Sequence, residues 1–298
     1  MNFEFTPISL DGQEKYNAFL SRCAQKPSDY SFVNLWGWGL EYGLEWCFQA
    51  EYVLIRQTRP EVLYWAPIGD WAQADWRKLQ DQLEDDICFI RIPEALKVIW
   101  EESLDGVTLQ ECRDHWDYLY NIPELVELKG RKFHNKKNLL HQFTRDNDYA
   151  FVMLDEKTVE CALALQTDWF LWRNSENDQT LEAENRAIIK VMHDWSRLKG
   201  LIGGGLVVND KMIAYTIAEA LDDQSVVIHF EKGCPQFKGV YQAINQMFLE
   251  NCCQNYQVVN REQDLGDEGL RKAKLSYNPF DFLRKYKVCL KGCLLGAE

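Results

Sequence analysis

The 298-residue chain lacks any long apolar run: its longest uninterrupted apolar stretch is LIGGGLVV at 201–208. That is far short of the ~20 residues a membrane helix needs, so no bilayer-spanning segment is expected. The N-terminal MNFEFTPISLDGQEK has no basic stretch followed by an apolar one, so no export signal is expected. CxxC is missing as well, and the 10 cysteines include a single adjacent pair, Cys252 and Cys253. Reduced, mostly buried thiols in a cytoplasmic protein are therefore the expectation. GxSxG and the GxxxxGK phosphate loop are absent, which argues against a nucleophile-elbow hydrolase and a P-loop nucleotidase. IGGG at 202–205 precedes a strand rather than a helix and is no dinucleotide fingerprint. His134 and His141 stand seven apart with neither HExxH nor a third ligand, so no metal site is expected. No Ser/His/Asp or Cys/His order supports a covalent hydrolase.

Apolar and aromatic residues are plentiful, at 46% and 13% with 11 Trp. Such a chain buries a core and is not disordered. Its length is about twice the ~150-residue domain prior, which suggests two domains. The net charge of −13 is unevenly spread. Residues 1–126 carry 22 acids against 10 bases, residues 127–150 carry 3 against 6, and residues 260–298 carry 6 against 8. The balance argues against a nucleic-acid coat protein and against DNA as a partner. Screening over ~8 Å still lets the two basic islands hold an anionic ligand.

LEAENRAIIKVMHDWSRLKG spaces Leu181, Ala187, Ile188, Val191, Met192, Trp195 and Leu198 at helical intervals, with Gly200 as the stop. Three β-rich runs follow, GLVVN, MIAYTIAEAL and SVVIHFEKG, separated by turns at Asn209-Asp210 and Asp222-Asp223; they read as an antiparallel meander. VYQAINQMFLENC is then a helix, YQVVN a strand, DEGLRKAKL a short helix capped by Asp267 and YKVCLKG a last strand. The first half runs in a similar order, from the helix LDGQEKYNAFLSRC to a final strand VTLQECRDHWDYLY. Each half thus reads helix, antiparallel strands, helix, strand, helix, strand. The expected division is 1–130 and 131–298, near ELKGRKFHNKKN. This order is that of the GNAT acyltransferase fold. The expected class is α/β (α+β), two tandem GNAT-like domains with mixed, largely antiparallel sheets.

Three segments carry a family resemblance: DYLYNIPELVELKGRKFHNKKNLLHQF at 117–143, IHFEKGCPQFKGVYQAINQMF at 228–248 and NREQDLGDEGLRKAKLSYNP at 260–279. They resemble the C-terminal domain of bacterial phosphatidylglycerol lysyltransferase. The resemblance implies a tandem GNAT-like fold similar to the Fem-type peptidyltransferases. Membrane-bound relatives move an aminoacyl group from charged tRNA to a lipid head group. The function implied is acyl or aminoacyl transfer to an amine or hydroxyl, with acyl-coenzyme A or aminoacyl-tRNA as donor and no covalently bound cofactor.

Glu231 and Lys232 sit at the end of the third meander strand, where α/β folds commonly place chemistry. Glu231 suits a general base and Lys232 a charge neutraliser; a surface pair at a strand end is the plain alternative. Glu184, early in the long helix, is the second candidate base, or an acid placed to favour the helix dipole. Tyr241, one turn into the next helix, can donate to a leaving group or pack as a half-buried aromatic. Gly239 marks the helix start where a GNAT protein seats a pyrophosphate. Little of the usual glycine-rich cradle surrounds it. Asn260, Arg261 and Asp264 follow a strand end, and Arg271 and Lys274 share a helix face suited to a phosphate or carboxylate. Alternatively Arg261, Asp264, Asp267 and Arg271 form an ion-pair network. Arg131, Lys132, Lys136 and Lys137 belong to a basic stretch that reads as a tRNA or phosphate patch or as the solvated face of an inter-domain helix. Two readings remain open here: an acyl- or aminoacyl-transferase, and a catalytically silent tandem GNAT-like protein binding a small anionic ligand or a protein.

Overall fold

The computed structural model describes residues 3–83, 87–173 and 178–290. The chain forms two compact units, residues 1–117, 263–266 and 282–298 in the first, and 118–262 and 267–281 in the second. The expected boundary at 130/131 differs from this partition. The second unit begins earlier, and the chain returns to the first unit twice.

In the first unit the order is β1 (Thr6–Pro7), α1 (Gln13–Leu20), α2 (Phe32–Tyr42), β2 (Glu45–Phe48), β3 (Tyr52–Gln57), β4 (Leu63–Gly69), α3 (Trp76–Gln82), β5 (Cys88–Pro93), α4 (Glu94–Ser103) and β6 (Thr108–Glu111). The second unit's elements begin with β7 (Asp117–Asn121), α5 (Ile122–Glu127), α6 (His134–Asp146), β8 (Tyr149–Met153), α7 (Val159–Arg173) and α8 (Gln179–His193). They continue with the meander β9 (Leu201–Val208), β10 (Lys211–Ala220) and β11 (Ser225–Gly233), then α9 (Val240–Cys252), β12 (Val258–Asn260) and α10 (Glu268–Leu275). Two short strands follow, β13 (Asp281–Leu283) and β14 (Lys285–Cys289).

Among the described residues two seven-stranded sheets form, β1-β2-β3-β4-β5-β14-β6 and β13-β7-β12-β11-β10-β9-β8. Each is a mixed sheet with a single described parallel pair, β4 with β5 and β11 with β12. The meanders β2-β3-β4 and β9-β10-β11 precede those pairs. Element order therefore repeats, as read from the sequence, and the architecture is tandem GNAT-like. The two late strands do not sit where a simple repeat puts them. VTLQECRDHWDYLY is not one strand: it splits into β6 in the first sheet and β7 in the second. The last strand, β14, lies between β5 and β6 of the first sheet rather than in the second.

Local chemistry sets these elements. Helix α2 starts where the Ser31 side chain accepts from the Asn34 N–H at 3.0 Å, and stops at Gly43 in the left-handed region, φ 57°. Trp36 and Trp38, both half-buried, lie on this helix. Strand β10 is buried at eight of its ten positions, as a central strand covered on both faces must be. IGGG lies inside β9, where added Cβ atoms at Gly203 and Gly204 would run into Trp195, Leu154 and Phe151. Those glycines serve close packing.

The first unit holds a buried polar cluster. The Lys285 ammonium is fully buried and donates to Asp117 at 2.6 Å and to Asp29. Asp117 also accepts from the Ser28 N–H at 2.7 Å and its hydroxyl at 2.8 Å. Burial alone would raise the Asp29 carboxyl; Lys285 and Arg91 outweigh it and hold that group well below the usual range.

The expected ten free thiols are not found: Cys88 and Cys289 are joined by a disulfide between β5 and β14. Their antiparallel register sets the two residues directly opposite, close enough for a bridge. Cys23, Cys47, Cys112, Cys161, Cys234, Cys252 and Cys253 are free. Thiol titration of the denatured protein is expected to find two fewer groups before reduction than after it. Equal counts would refute the bridge.

Candidate functional site

The second unit's parallel pair is short. Ser225, Val226 and Val227 of β11 pair with Val258, Val259 and Asn260 of β12. Beyond that point β11 runs on through Gly233, while the chain leaves β12. Asn260 makes the departure: its side-chain carbonyl accepts from the Glu262 N–H at 2.8 Å, and Glu262 adopts a φ of 55°. The strand was expected to end before Asn260. It ends on it, with Asn260 buried.

Charged side chains occupy the space where the strands part. Arg261 donates to Glu231 at 2.9 Å, and their side chains are 14% and 9% exposed. Glu231 also accepts from Thr216 and from the Asn245 amide, both at 3.2 Å. The Arg261 guanidinium lies 4.9 Å from the Tyr277 ring and 5.8 Å from that of Tyr120. Burial would lower its pKa, but the Glu231 charge outweighs that and raises it. Its Nη1 is buried without a hydrogen-bond partner. Three donors thus take up the Glu231 carboxylate, which holds Arg261 and is poorly placed to take a proton from a ligand.

His229 sits deeper on β11. Its Nδ1 lies 2.9 Å from Glu262 and its Nε2 3.1 Å from Glu219. Burial alone would push the imidazole pKa down; the two carboxylates reverse this and lift it to about 9.

Lys232 and Glu184 form the second ion pair. The ammonium contacts both carboxylate oxygens, at 2.9 and 2.8 Å, and stands 4.0 Å from the Trp169 ring centre. The Lys232 side chain is 9% exposed and that of Glu184 30%. These two candidates therefore meet each other, and Glu231 and Lys232, for which a surface pair at a strand end was the alternative, each take another partner. The Asp178 side chain accepts from the Thr180 and Leu181 N–H groups to start α8, which carries Glu184. Gln166 of α7 bonds Asn185 of α8 and accepts from the Tyr215 hydroxyl of β10. The helices and the sheet are thereby locked together around the pair.

Beside it lies a hollow of about 500 Å³, lined by Trp169, Trp172, Arg173, Gly233, Pro235 and Tyr241. The Tyr241 hydroxyl accepts from the Trp169 indole N–H at 3.2 Å and from the Gly233 N–H. With two bonds accepted, its own proton stays available for donation. Burial raises the phenol pKa, so the group is protonated at neutral pH.

The remaining candidates separate. Gly239 has a φ of 84°, and a Cβ there would collide with the Leu139 carbonyl of α6. Packing of α6 against the start of α9 accounts for this glycine. Asp264 belongs to the first unit: it pairs with Arg113 at 3.1 Å and accepts from the Gly266 N–H at 3.0 Å. Arg261 and Asp264 take other partners, and Asp267 caps α10 by accepting from the Leu270 N–H at 2.6 Å. Partners on other elements permit full burial of Asp264 and near burial of the Arg261 side chain. Arg271 and Lys274 face different surroundings. Lys274 turns inward and donates to the Arg261 carbonyl at 2.6 Å. Arg271 instead lines an open groove of about 570 Å³ with Glu268, Lys272, Leu275 and Ser276.

Trp169, Arg173, Tyr120 and Tyr277 escaped the sequence reading. Trp169 and Arg173 lie on α7, whose VECALALQTDWFLWR mixes apolar and polar residues without one clear apolar face.

The fold is that of a tandem GNAT-like α/β protein. The chain belongs to the family described as phosphatidylglycerol lysyltransferase, C-terminal, which it matches over residues 20–289. A conserved protein of unknown function from Bacteroides thetaiotaomicron is 30% identical, with a TM-score of 0.89 over 97% of this chain and 100% of that one. L-PGS from Bacillus licheniformis shares the fold at 14% identity and a TM-score of 0.68, over 99% of this chain and 96% of that one. FemX does so at 7% and 0.62, over 97% and 98%. An uncharacterized protein of Mycoplasmoides gallisepticum is 21% identical over 65% of this chain, a match spanning 66% of that protein's length. Among the described residues no helix is long and apolar enough to cross a membrane.

The His229 cluster sets a pH dependence. Its folded pKa of about 9 lies above the ordinary 6.5. Its stabilisation is therefore complete below pH ~6.5 and lost as pH rises through ~9. The wild-type melting temperature is expected to fall across that window more steeply than that of His229→Asn. Parallel curves would contradict the assignment.

Proposed function

We propose that the second unit transfers an aminoacyl group from the ester of a charged tRNA to an amine or hydroxyl acceptor. The observation that carries this reading is the Tyr241 hydroxyl, held by Trp169 and Gly233 at the rim of the hollow beside the Lys232–Glu184 pair. In this reading the acceptor attacks the ester carbonyl, a new N–C or O–C bond forms, and the ester C–O bond breaks. Glu184 takes the acceptor's proton, and Tyr241 gives its own to the departing ribose oxygen. The proton returns from Glu184 to Tyr241 through solvent. Lys232 fixes the Glu184 carboxylate and places positive charge near the developing oxyanion. Glu231 positions Arg261 and takes no proton.

The donor's phosphates fit the groove of Arg271 and Lys272 and the neighbouring Lys136, which donates to Ser276 at 2.6 Å. Burial, with Arg261 nearby, lowers the Lys136 pKa, and an anion there would offset that crowding of cations. An ester donor is favoured over acyl-coenzyme A because the Leu139 carbonyl, itself an acceptor, faces the α9 start at Gly239. A pyrophosphate placed there would meet negative charge.

Single-turnover loss of label from bulk aminoacyl-tRNA, with enzyme in excess and an amine acceptor present, tests the reading. Wild-type protein is expected to accelerate the loss, and Tyr241→Phe to slow it by about 10²-fold while keeping the fold. Wild-type rates equal to the uncatalysed reaction leave a binding protein without this chemistry, and a Tyr241→Phe variant as fast as an accelerating wild type overturns the role given to Tyr241.

A further inference from the structure

Among the described residues the charges around the aromatic hollow do not cancel. Glu231 is matched by Arg261 and Glu184 by Lys232. Arg173, on the last turn of α7, lines the hollow and has no carboxylate partner among the described residues. Its guanidinium lies 5.9 Å from the Trp169 ring centre, and the Lys232 ammonium stands 4.0 Å from that same centre. The other walls are Trp172, Tyr241, Pro235 and the Gly233 backbone, and no carboxylate lines the hollow among the described residues.

Aromatic walls ordinarily welcome a cation. Here Trp169 already has two cations beside it, and the nearby carboxylates are engaged. A further ammonium would meet like charge at short range, and that repulsion outweighs one more cation–π contact. An uncharged aromatic or branched side chain meets no such opposition and gains the apolar walls.

We infer that the hollow receives the side chain of the transferred aminoacyl group, that this side chain is uncharged, and that Arg173 excludes lysyl and arginyl groups. The inference rests on the transfer reading above and departs from the lysyl specificity in the family's description. It assigns Arg173 as the discriminating residue.

Calorimetric titration with L-phenylalaninamide and L-lysinamide tests this directly. Both carry the same α-ammonium, so they differ only in the side chain. Wild-type protein is expected to bind L-phenylalaninamide about tenfold more tightly. Arg173→Glu is expected to abolish or invert that preference, with Arg173→Gln between. Equal or tighter binding of L-lysinamide by wild type would overturn the inference. So would an unchanged ratio in Arg173→Glu, or no binding of either amide at millimolar concentration. The titrations require no transfer, so a failed transfer reaction and a failed preference are read separately.

Discussion

The buried pair of Glu231 and Arg261 is the constraint on which the second unit's site depends. Two parallel strands that part after three paired residues leave backbone and side chains facing a gap. A gap filled with water would lose packing, and one filled by a lone charge would be unstable. Here the gap holds an ion pair whose carboxylate is further bonded by Thr216 and Asn245 and whose guanidinium lies against Tyr277 and Tyr120. Such a pair adds little net stability over an apolar filling, but losing one member is costly. Its consequence is positional. It fixes the end of β11, and the next residues, Lys232 and Gly233, then face Glu184, Trp169 and Tyr241.

The first unit uses the same chemistry for a different end. Lys285, Asp29, Asp117 and Ser28 form a buried set whose members come from distant parts of the chain. Gln263 adds donations to Ser28, Asp29 and Asp117 at 2.8, 3.2 and 3.0 Å. Each polar group finds a partner, as a dry interior requires. The cluster ties β14 and the 263–266 segment into the unit, and the Cys88–Cys289 bridge adds a covalent tie at the other end of β14. The first unit therefore needs the last part of the chain to complete its sheet.

Much of the fold was legible because periodicity survives in the elements that have one polar face. The meander β9-β10-β11, α8, α9 and α10 all announced themselves through spacing and Asx turns. Helices α2 and α7 did not: FVNLWGWGLEY is apolar almost throughout, and α7 lacks a clear apolar stripe. Strand exchange was equally hidden, since YKVCLKG reads as a strand whichever sheet accepts it. At the site, the residue types at 231, 232, 184 and 241 were recognisable as chemistry, but their pairing was not. Glu184 and Lys232 lie 48 residues apart, and spacing within one element cannot reveal a contact of that kind. The 260–274 segment misled because its charges look solvent-facing until their partners Glu231 and Arg113 are known.

The central claim is that Glu231 acts as scaffold for Arg261 and not as an independent proton acceptor. A double-mutant cycle on unfolding free energy tests it most directly, with Glu231→Gln, Arg261→Met and the two combined. Each single change should cost about 3–5 kcal/mol, because it strands a buried charge, and the double variant should cost clearly less than the two together. Additive losses in the double variant would show that the two side chains act separately, and would contradict the account.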